Sequence, residues 1–324
     1  MLRKGERIYS LEEQKDMLHN LEKKGLMPTK YAYFGMGAKR WIKIANSRLN
    51  ARGKGINILE RVLLTQKARD IFESLAAYGH RNFNLVDLGC GDGSPLYPLL
   101  RYLRTQMPKA GIRYNPIDIS PDMLQASSKN IGDGFGAFGS KSKWDFEKGS
   151  FRQITKTLEK PNFGNLYLFL GSTFGNMPDL NQALLNIRKS MGKDDYLLLG
   201  VEKVVPSEIG GMLRDYYSVR EIYDLLFTPF ELFGLKYSSG EYKIGFNREL
   251  SQVECYFTPD RNLLFSTLAG KRVLQKGKQI LLARSVKFTS AHIAELFDEA
   301  GFRIELLTTS REDNYALILA QPKV

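Results

Sequence analysis

The stretch Asn84-Leu85-Val86-Asp87-Leu88-Gly89-Cys90-Gly91-Asp92-Gly93 decides the fold. Asn84 to Leu88 is a short apolar run with Asp87 inside it, and it reads as a buried strand. Gly89, Gly91 and Gly93 form a turn in which no side chain keeps a ligand from the backbone. Leu96, Leu99, Leu100 and Leu103 then recur at helical spacing. A second apolar run, Tyr114 to Ile119, carries Asp118 near its end. An acid one helix and one strand beyond a glycine turn can bind two ribose hydroxyls. The chain has no Gly-x-x-x-x-Gly-Lys-Ser, and Asp92 stands in the turn in place of a basic residue. An acid there repels a pyrophosphate and suits a cation such as a sulfonium. The expected cofactor is S-adenosyl-L-methionine, which leaves as S-adenosyl-L-homocysteine. Its expected contacts are Asp87, Gly89, Gly91, Gly93, Asp118 and Ile119.

Outward from this unit, Ile56 to Leu75 is a helical run that leads into the first strand. Ser120 caps a helix through Met123, Leu124 and Ile131. Trp144 to Phe151 is where a third strand and its loop are expected. Ser150 there offers a polar side chain to an adenine amine, with Phe151 beside it. The alternative is a solvated loop serine. Leu166 to Leu170 is an unbroken apolar run, expected to be a central parallel strand. Gly171-Ser-Thr-Phe-Gly-Asn176 follows at the strand end where open α/β sheets bind ligands. Gly171 is expected to touch the cofactor. Thr173 and Asn176 are expected to face an acceptor, since Asn carries both donors and an acceptor. Asn176 also reads as a cap before a helix from about Pro178 to Met191. Tyr196 to Val201 is a fifth strand ended by Glu202.

Past Glu202 the alternation of strand and helix stops. Tyr216 to Phe233 reads as one aromatic-rich helix, and Gly234 and the segment around Gly240 read as loops. Val253 to Phe257, Leu263 to Leu268 and Ile280 to Phe288 read as strands. This is too long for a connecting loop and is expected to be an insertion. A helix at Ser290 to Ala300 and two strands, Phe302 to Leu307 and Tyr315 to Ala320, close the chain. Near the start, Ser10 and Glu13 form a capping box for a helix to Leu21. Tyr31 to Trp41 is an aromatic stretch that reads as core or as the wall of a pocket for a small cation or aromatic group.

The chain is 324 residues with 43% hydrophobic residues and a formal charge of +12. No run of 18 uncharged apolar residues occurs, so no transmembrane helix is expected. The charged start lacks an apolar stretch behind it, so no signal peptide is expected. Two cysteines and three histidines give no metal spacing, and a metal-independent, reduced, cytoplasmic protein is expected. Residues 1 to 80 hold sixteen Lys and Arg against eight Asp and Glu. That excess marks either a solvated basic surface or contact with nucleic acid.

At this point the residues resemble the histidine-specific, S-adenosylmethionine-dependent N-methyltransferase family of ergothioneine biosynthesis. The resemblance lies in Gly171 to Asn176, Tyr196 to Glu202, Tyr31 to Trp41 and Arg284-Ser-Val-Lys-Phe288, in the family's order. It implies that Gly89 and Asp118 hold the methionine part and the ribose. It places Gly171, Thr173 and Asn176 along the acceptor site. It further implies aromatic walls at Tyr33 and Trp41, a carboxylate contact at Tyr216 and an imidazole contact at Ser285. Ser150 stands where the family has an aspartate. Ala283 stands where the family has its imidazole-binding glutamate. No tyrosine in Ser47 to Ile58 replaces an aromatic the family places there.

The expected architecture is α/β, a seven-stranded doubly wound Rossmann-like methyltransferase sheet with a second, smaller α+β domain. Residues 56–202 and 289–324 are expected to form the methyltransferase domain. Residues 1–55 and 203–288 are expected to form a substrate-binding or lid domain. The expected function is N-methylation of a small amino acid or amine other than histidine, by a monomer or homodimer. The alternatives are an RNA methyltransferase and a non-catalytic S-adenosylmethionine-binding protein.

Overall fold

The computed structural model of this chain describes residues 3–49, 56–160 and 162–323. The strands in chain order are β1 (Asn82–Leu88), β2 (Ile112–Asp118), β3 (Ser142–Lys143), β4 (Phe163–Phe169) and β5 (Tyr196–Glu202). They continue as β6 (Gly240–Asn247), β7 (Gln252–Pro259), β8 (Leu263–Thr267), β9 (Gly270–Leu274), β10 (Ile280–Val286), β11 (Phe302–Thr309) and β12 (Tyr315–Pro322). The chain divides into two compact units, Met1–Ile44 with Pro206–Val286, and Ala45–Val205 with Lys287–Val324.

The second unit is a seven-stranded sheet in the order β11-β12-β5-β4-β1-β2-β3. Strands β1 to β5 pair in parallel, and β12 runs antiparallel to both β5 and β11. This is the Rossmann-like arrangement expected from the sequence. Strands β1, β4 and β5 are buried almost end to end, as a sheet covered on both faces requires. The helices Ile56–Ala76 and Tyr97–Gln106 supply Leu63, Leu64, Ile71, Phe72, Leu99, Leu100 and Leu103 to one core. Ser120 caps the helix Pro121–Phe135, its hydroxyl accepting from Met123 N–H. The third strand is shorter and earlier than expected. It spans Ser142–Lys143 only, and Trp144 to Phe151 is loop and 3-10 turn.

The chain leaves and re-enters this unit at adjacent points. Phe288 N–H donates to the Glu202 carbonyl, and Val204 N–H donates to the Phe288 carbonyl, both at 2.9 Å. The side chains of Lys287 and Glu202 form an ion pair at 2.7 Å, and both are buried. A buried pair of this kind is worth little net, but breaking it strands a charge.

The first unit carries a three-stranded antiparallel sheet, β10-β7-β6, and the hairpin β8-β9. Its helix Leu11–Lys23 starts with the expected capping box of Ser10 and Glu13. Leu26 and Leu281 pair as a bridge, which ties the N-terminal segment to β10. Phe227, Phe230, Phe257 and Phe265 form its aromatic core. Two expectations fail here. Tyr216 to Phe233 is not one helix but three short pieces, Leu213–Tyr217, Arg220–Leu226 and Thr228–Leu232. The last begins around Pro229, which cannot continue a preceding helix. The segment around Gly240 is not a loop but the start of β6, which pairs with β7 along its length.

Candidate active site

The carboxyl ends of β1, β2 and β4 lie side by side in the parallel sheet. Crevices at that edge bind ligands in open α/β sheets. At the end of β1, Gly89 takes φ 62°, and Gly91 and Gly93 are also left-handed. A Cβ at Gly89 would sit 3.1 Å from Thr173 Cγ2 and 3.5 Å from Phe169 Cε2. The turn after β1 therefore packs bare backbone against the loop after β4, and only glycine meets both the φ and the contact.

Asp118 ends β2 with its carboxyl buried. Ser120 N–H donates to Oδ1 at 2.8 Å, and the N–H groups of Gly91 and Ile119 also donate to this carboxylate. Burial outweighs these donors and pushes its pKa up to about 6. The glycine turn and the acid thus meet directly. Asp87 is buried one residue before the end of β1 and accepts from Tyr114 Oη at 2.7 Å. Burial, opposed by that bond and aided by the charge of Asp118, pushes it to about 8.

Ser150 and Phe151 are both tied to Ser190. The hydroxyls of Ser150 and Ser190 are 3.0 Å apart, and Ser150 also accepts from Arg152 N–H. Phe151 N–H donates to Ser190 Oγ at 2.8 Å, and the ring is fully buried against Phe146. Ser150 is therefore engaged in closing its own loop. Trp144, which the sequence placed with the third strand and its loop, directly follows β3, and its backbone N–H donates to the Asp118 carbonyl at 3.0 Å.

The loop after β4 turns at Gly171, φ 70°, and forms a 3-10 turn over Thr173–Asn176. The half-buried Asn176 makes no side-chain hydrogen bond with the described residues. The cap of the next helix, Leu180–Ser190, is Asp179, so capping does not explain Asn176.

Sequence reasoning missed Glu60. It lies on the helix Ile56–Ala76 and is 1% exposed. Its carboxylate accepts from Gly171 N–H, with Oε2 at 2.9 Å, and from the Tyr315 hydroxyl. It enters the sheet over Gly200, where a Cβ would overlap both Glu60 Oε2 and Tyr315 Oη. Nothing in the helix sequence distinguishes Glu60 from a solvated glutamate. The small residue at Gly200, inside an otherwise apolar strand, was the available signal. Gly200→Ala is expected to cost about 1–3 kcal/mol by overpacking, read as a lower urea midpoint. An unchanged midpoint would show that Glu60 is free to move aside.

In the first unit, Tyr33 and Trp41 meet edge to face, with ring centroids 5.7 Å apart, and both are half-buried. Their neighbours Tyr31 and Phe34 are core. The stretch Tyr31 to Trp41 thus serves as both core and surface. Thr29 Oγ1 donates to the Leu282 carbonyl at 3.0 Å and holds this turn on β10. Ala283 and Ser285 lie beyond a bulge in β10, in unbroken register with Cys255 and Val253, and so share one face. Tyr216 lies in the turn Leu213–Tyr217, and its side chain is outside the described residues. Residues 50–55, within the Ser47 to Ile58 stretch, are also outside them.

A parallel sheet with its last strand reversed and a bare glycine turn against a buried acid is the arrangement expected of an S-adenosylmethionine-dependent methyltransferase. The family match agrees and is more particular. The chain belongs to the family described as histidine-specific methyltransferase, SAM-dependent, which it matches over residues 13–225 and 230–322. No curated protein matches the chain. Among solved structures, it is similar to magnesium protoporphyrin IX methyltransferase from Synechocystis PCC 6803, at 14% identity and a TM-score of 0.45, covering 91% of this chain and 98% of that one. It is also similar to an S-adenosylmethionine-dependent methyltransferase from Clostridium acetobutylicum, at 10% identity and 0.42, covering 79% and 91%. An amino pentose methyltransferase from Micromonospora echinaspora matches at 14% and 0.40, covering 86% and 97%. Among the described residues no helix is long and apolar enough to cross a membrane.

Proposed function

We propose that this protein transfers the methyl group of S-adenosylmethionine to the nitrogen of a small amino acid or amine other than histidine. One observation carries the reading. Ala283 shares a strand face with Ser285, and it presents a methyl group where the resemblance places a glutamate. A methyl cannot accept the imidazole hydrogen bond. A buried donor without its partner costs about 1–3 kcal/mol, roughly tenfold to a hundredfold in affinity.

The cofactor, when bound, supplies a methyl group already activated on a sulfonium. The protein has three tasks. Asp118 and the glycine turn hold the donor. Asn176, with its free amide, orients the acceptor amine. The resemblance implies aromatic walls at Tyr33 and Trp41, and an aromatic wall favours the neutral, nucleophilic form of an amine. Orientation of this kind is worth up to about 7–11 kcal/mol, so no essential nucleophile is expected.

The test is a labelled-methyl assay over histidine and a panel of amino acids and amines, repeated with Ala283→Glu. The wild type is expected to prefer another acceptor to histidine. The variant is expected to gain roughly tenfold or more in histidine affinity. Histidine as the preferred wild-type acceptor would refute the reading. So would tight, steeply salt-dependent tRNA binding joined to methylation of that RNA.

A further inference from the structure

We propose that Glu60 is the positioning residue for the cofactor's positive charge: its carboxylate, fixed behind Gly171, discriminates S-adenosylmethionine from the neutral-sulfur product. The placement comes first. Glu60 reaches the carboxyl edge of the sheet between β4 and β5, because Gly200 leaves room for it. There it holds the backbone N–H of Gly171, the residue that turns the chain out of β4. Two residues on, Thr173 packs against Gly89 of the cofactor turn. Glu60 is therefore one peptide behind the wall of the crevice in which the methyl donor lies.

The second point is charge. Glu60 has no cationic partner among the described residues, and its two donors, Gly171 N–H and Tyr315 O–H, are neutral. Asp87, Asp92 and Asp118 are buried at the same edge, and the charges of Asp118, Glu60 and Asp92 all bear on Asp87. The described residues offer none of these carboxyls an ion pair. Carboxylates kept dry without a counter-ion are costly. A fold that keeps them gains from a ligand that brings the missing charge. Burial pushes Glu60 up to about 7, within reach of ionisation when a cation binds. Asp118 is committed to the ribose and to backbone donors, and Asp87 to Tyr114. Glu60 stands behind the β4 loop instead.

A purely structural glutamate would support both ligands equally. A charge-bearing one favours the sulfonium over the thioether. Calorimetry with S-adenosylmethionine and S-adenosylhomocysteine, on wild type and Glu60→Gln, separates the two. Glutamine keeps the size and can still accept from Gly171 N–H. The variant is expected to lose about tenfold in S-adenosylmethionine affinity, with the homocysteine affinity nearly unchanged. An equal loss for both ligands, or no loss, would overturn the proposal. Should Glu60→Gln fail to fold, the wild type still decides. Near neutral pH, S-adenosylmethionine binding is expected to release more protons than S-adenosylhomocysteine binding, read from the dependence of binding enthalpy on buffer ionisation. Equal release would count against Glu60. Neither measurement involves an acceptor, so both are independent of the acceptor proposed above.

Discussion

Asp118→Ala is expected to weaken S-adenosylmethionine binding by at least about a hundredfold while the protein stays folded. The carboxylate lies buried at the end of β2, held by Ser120, Gly91 and Ile119 N–H groups, so it would meet a ribose without reorganising. Hydrogen bonds to a charged group are worth about 1.5–3 kcal/mol each, and a ribose offers two hydroxyls. The sum is roughly 3–6 kcal/mol, or two to four orders of magnitude in affinity. Asp118→Asn keeps one acceptor and should fall between the two. Isothermal titration, with a thermal melt to check folding, gives the answer. An alanine variant that binds with native affinity would remove Asp118 from the cofactor site.

The second large effect concerns the ligand-free protein, whose stability is expected to fall as pH rises from about 5 to about 8. Burial raises Asp118 to about 6, Glu60 to about 7 and Asp87 to about 8, and it raises Asp195 as well. In the unfolded chain such groups titrate near 4. Between these limits the folded state keeps protons that the unfolded state has lost, so the slope of unfolding free energy against pH is negative. The stabilisation is complete below the unfolded values and is lost as pH passes the folded ones. For Asp118, a shift of about two units corresponds to about 3 kcal/mol. The others do not simply add, because Asp118 and Glu60 both act on Asp87. Glu22 and Asp313 are held low by Arg272 and Lys203, so their opposite slopes fall below this window. Urea midpoints across the range measure the effect, and a flat or rising profile would contradict it. Saturating S-adenosylmethionine is expected to flatten the fall, because a cation favours the ionised forms.

The residues explain what was legible and what was not. The unit from Asn84 to Asp118 could be read because turn, strand and acid are close in sequence, and each has a local signature. The capping box at Ser10 and Glu13 was legible for the same reason. Strand β6 was not. It carries Gly240 and Gly245, and most of its residues are half-buried, so neither an apolar run nor a clean alternation marks it. Strand β3 was misplaced because two residues cannot carry a period. The serine at 150 showed a polar group but not its direction, which Ser190, forty positions away, decides. Glu60 was invisible for a stronger reason. Its three reference points, Gly171, Gly200 and Tyr315, meet only once the sheet is assembled. Long-range contacts of this kind leave no trace in helical periodicity.

The zipped backbone at Glu202 to Val204 and Phe288 joins the two points where the chain leaves and re-enters the seven-stranded sheet. The segment between those positions is a closed excursion whose two ends are already joined by backbone hydrogen bonds. Residues between those positions can change without shifting the register of β5 against β12, because the backbone is already closed at the sheet.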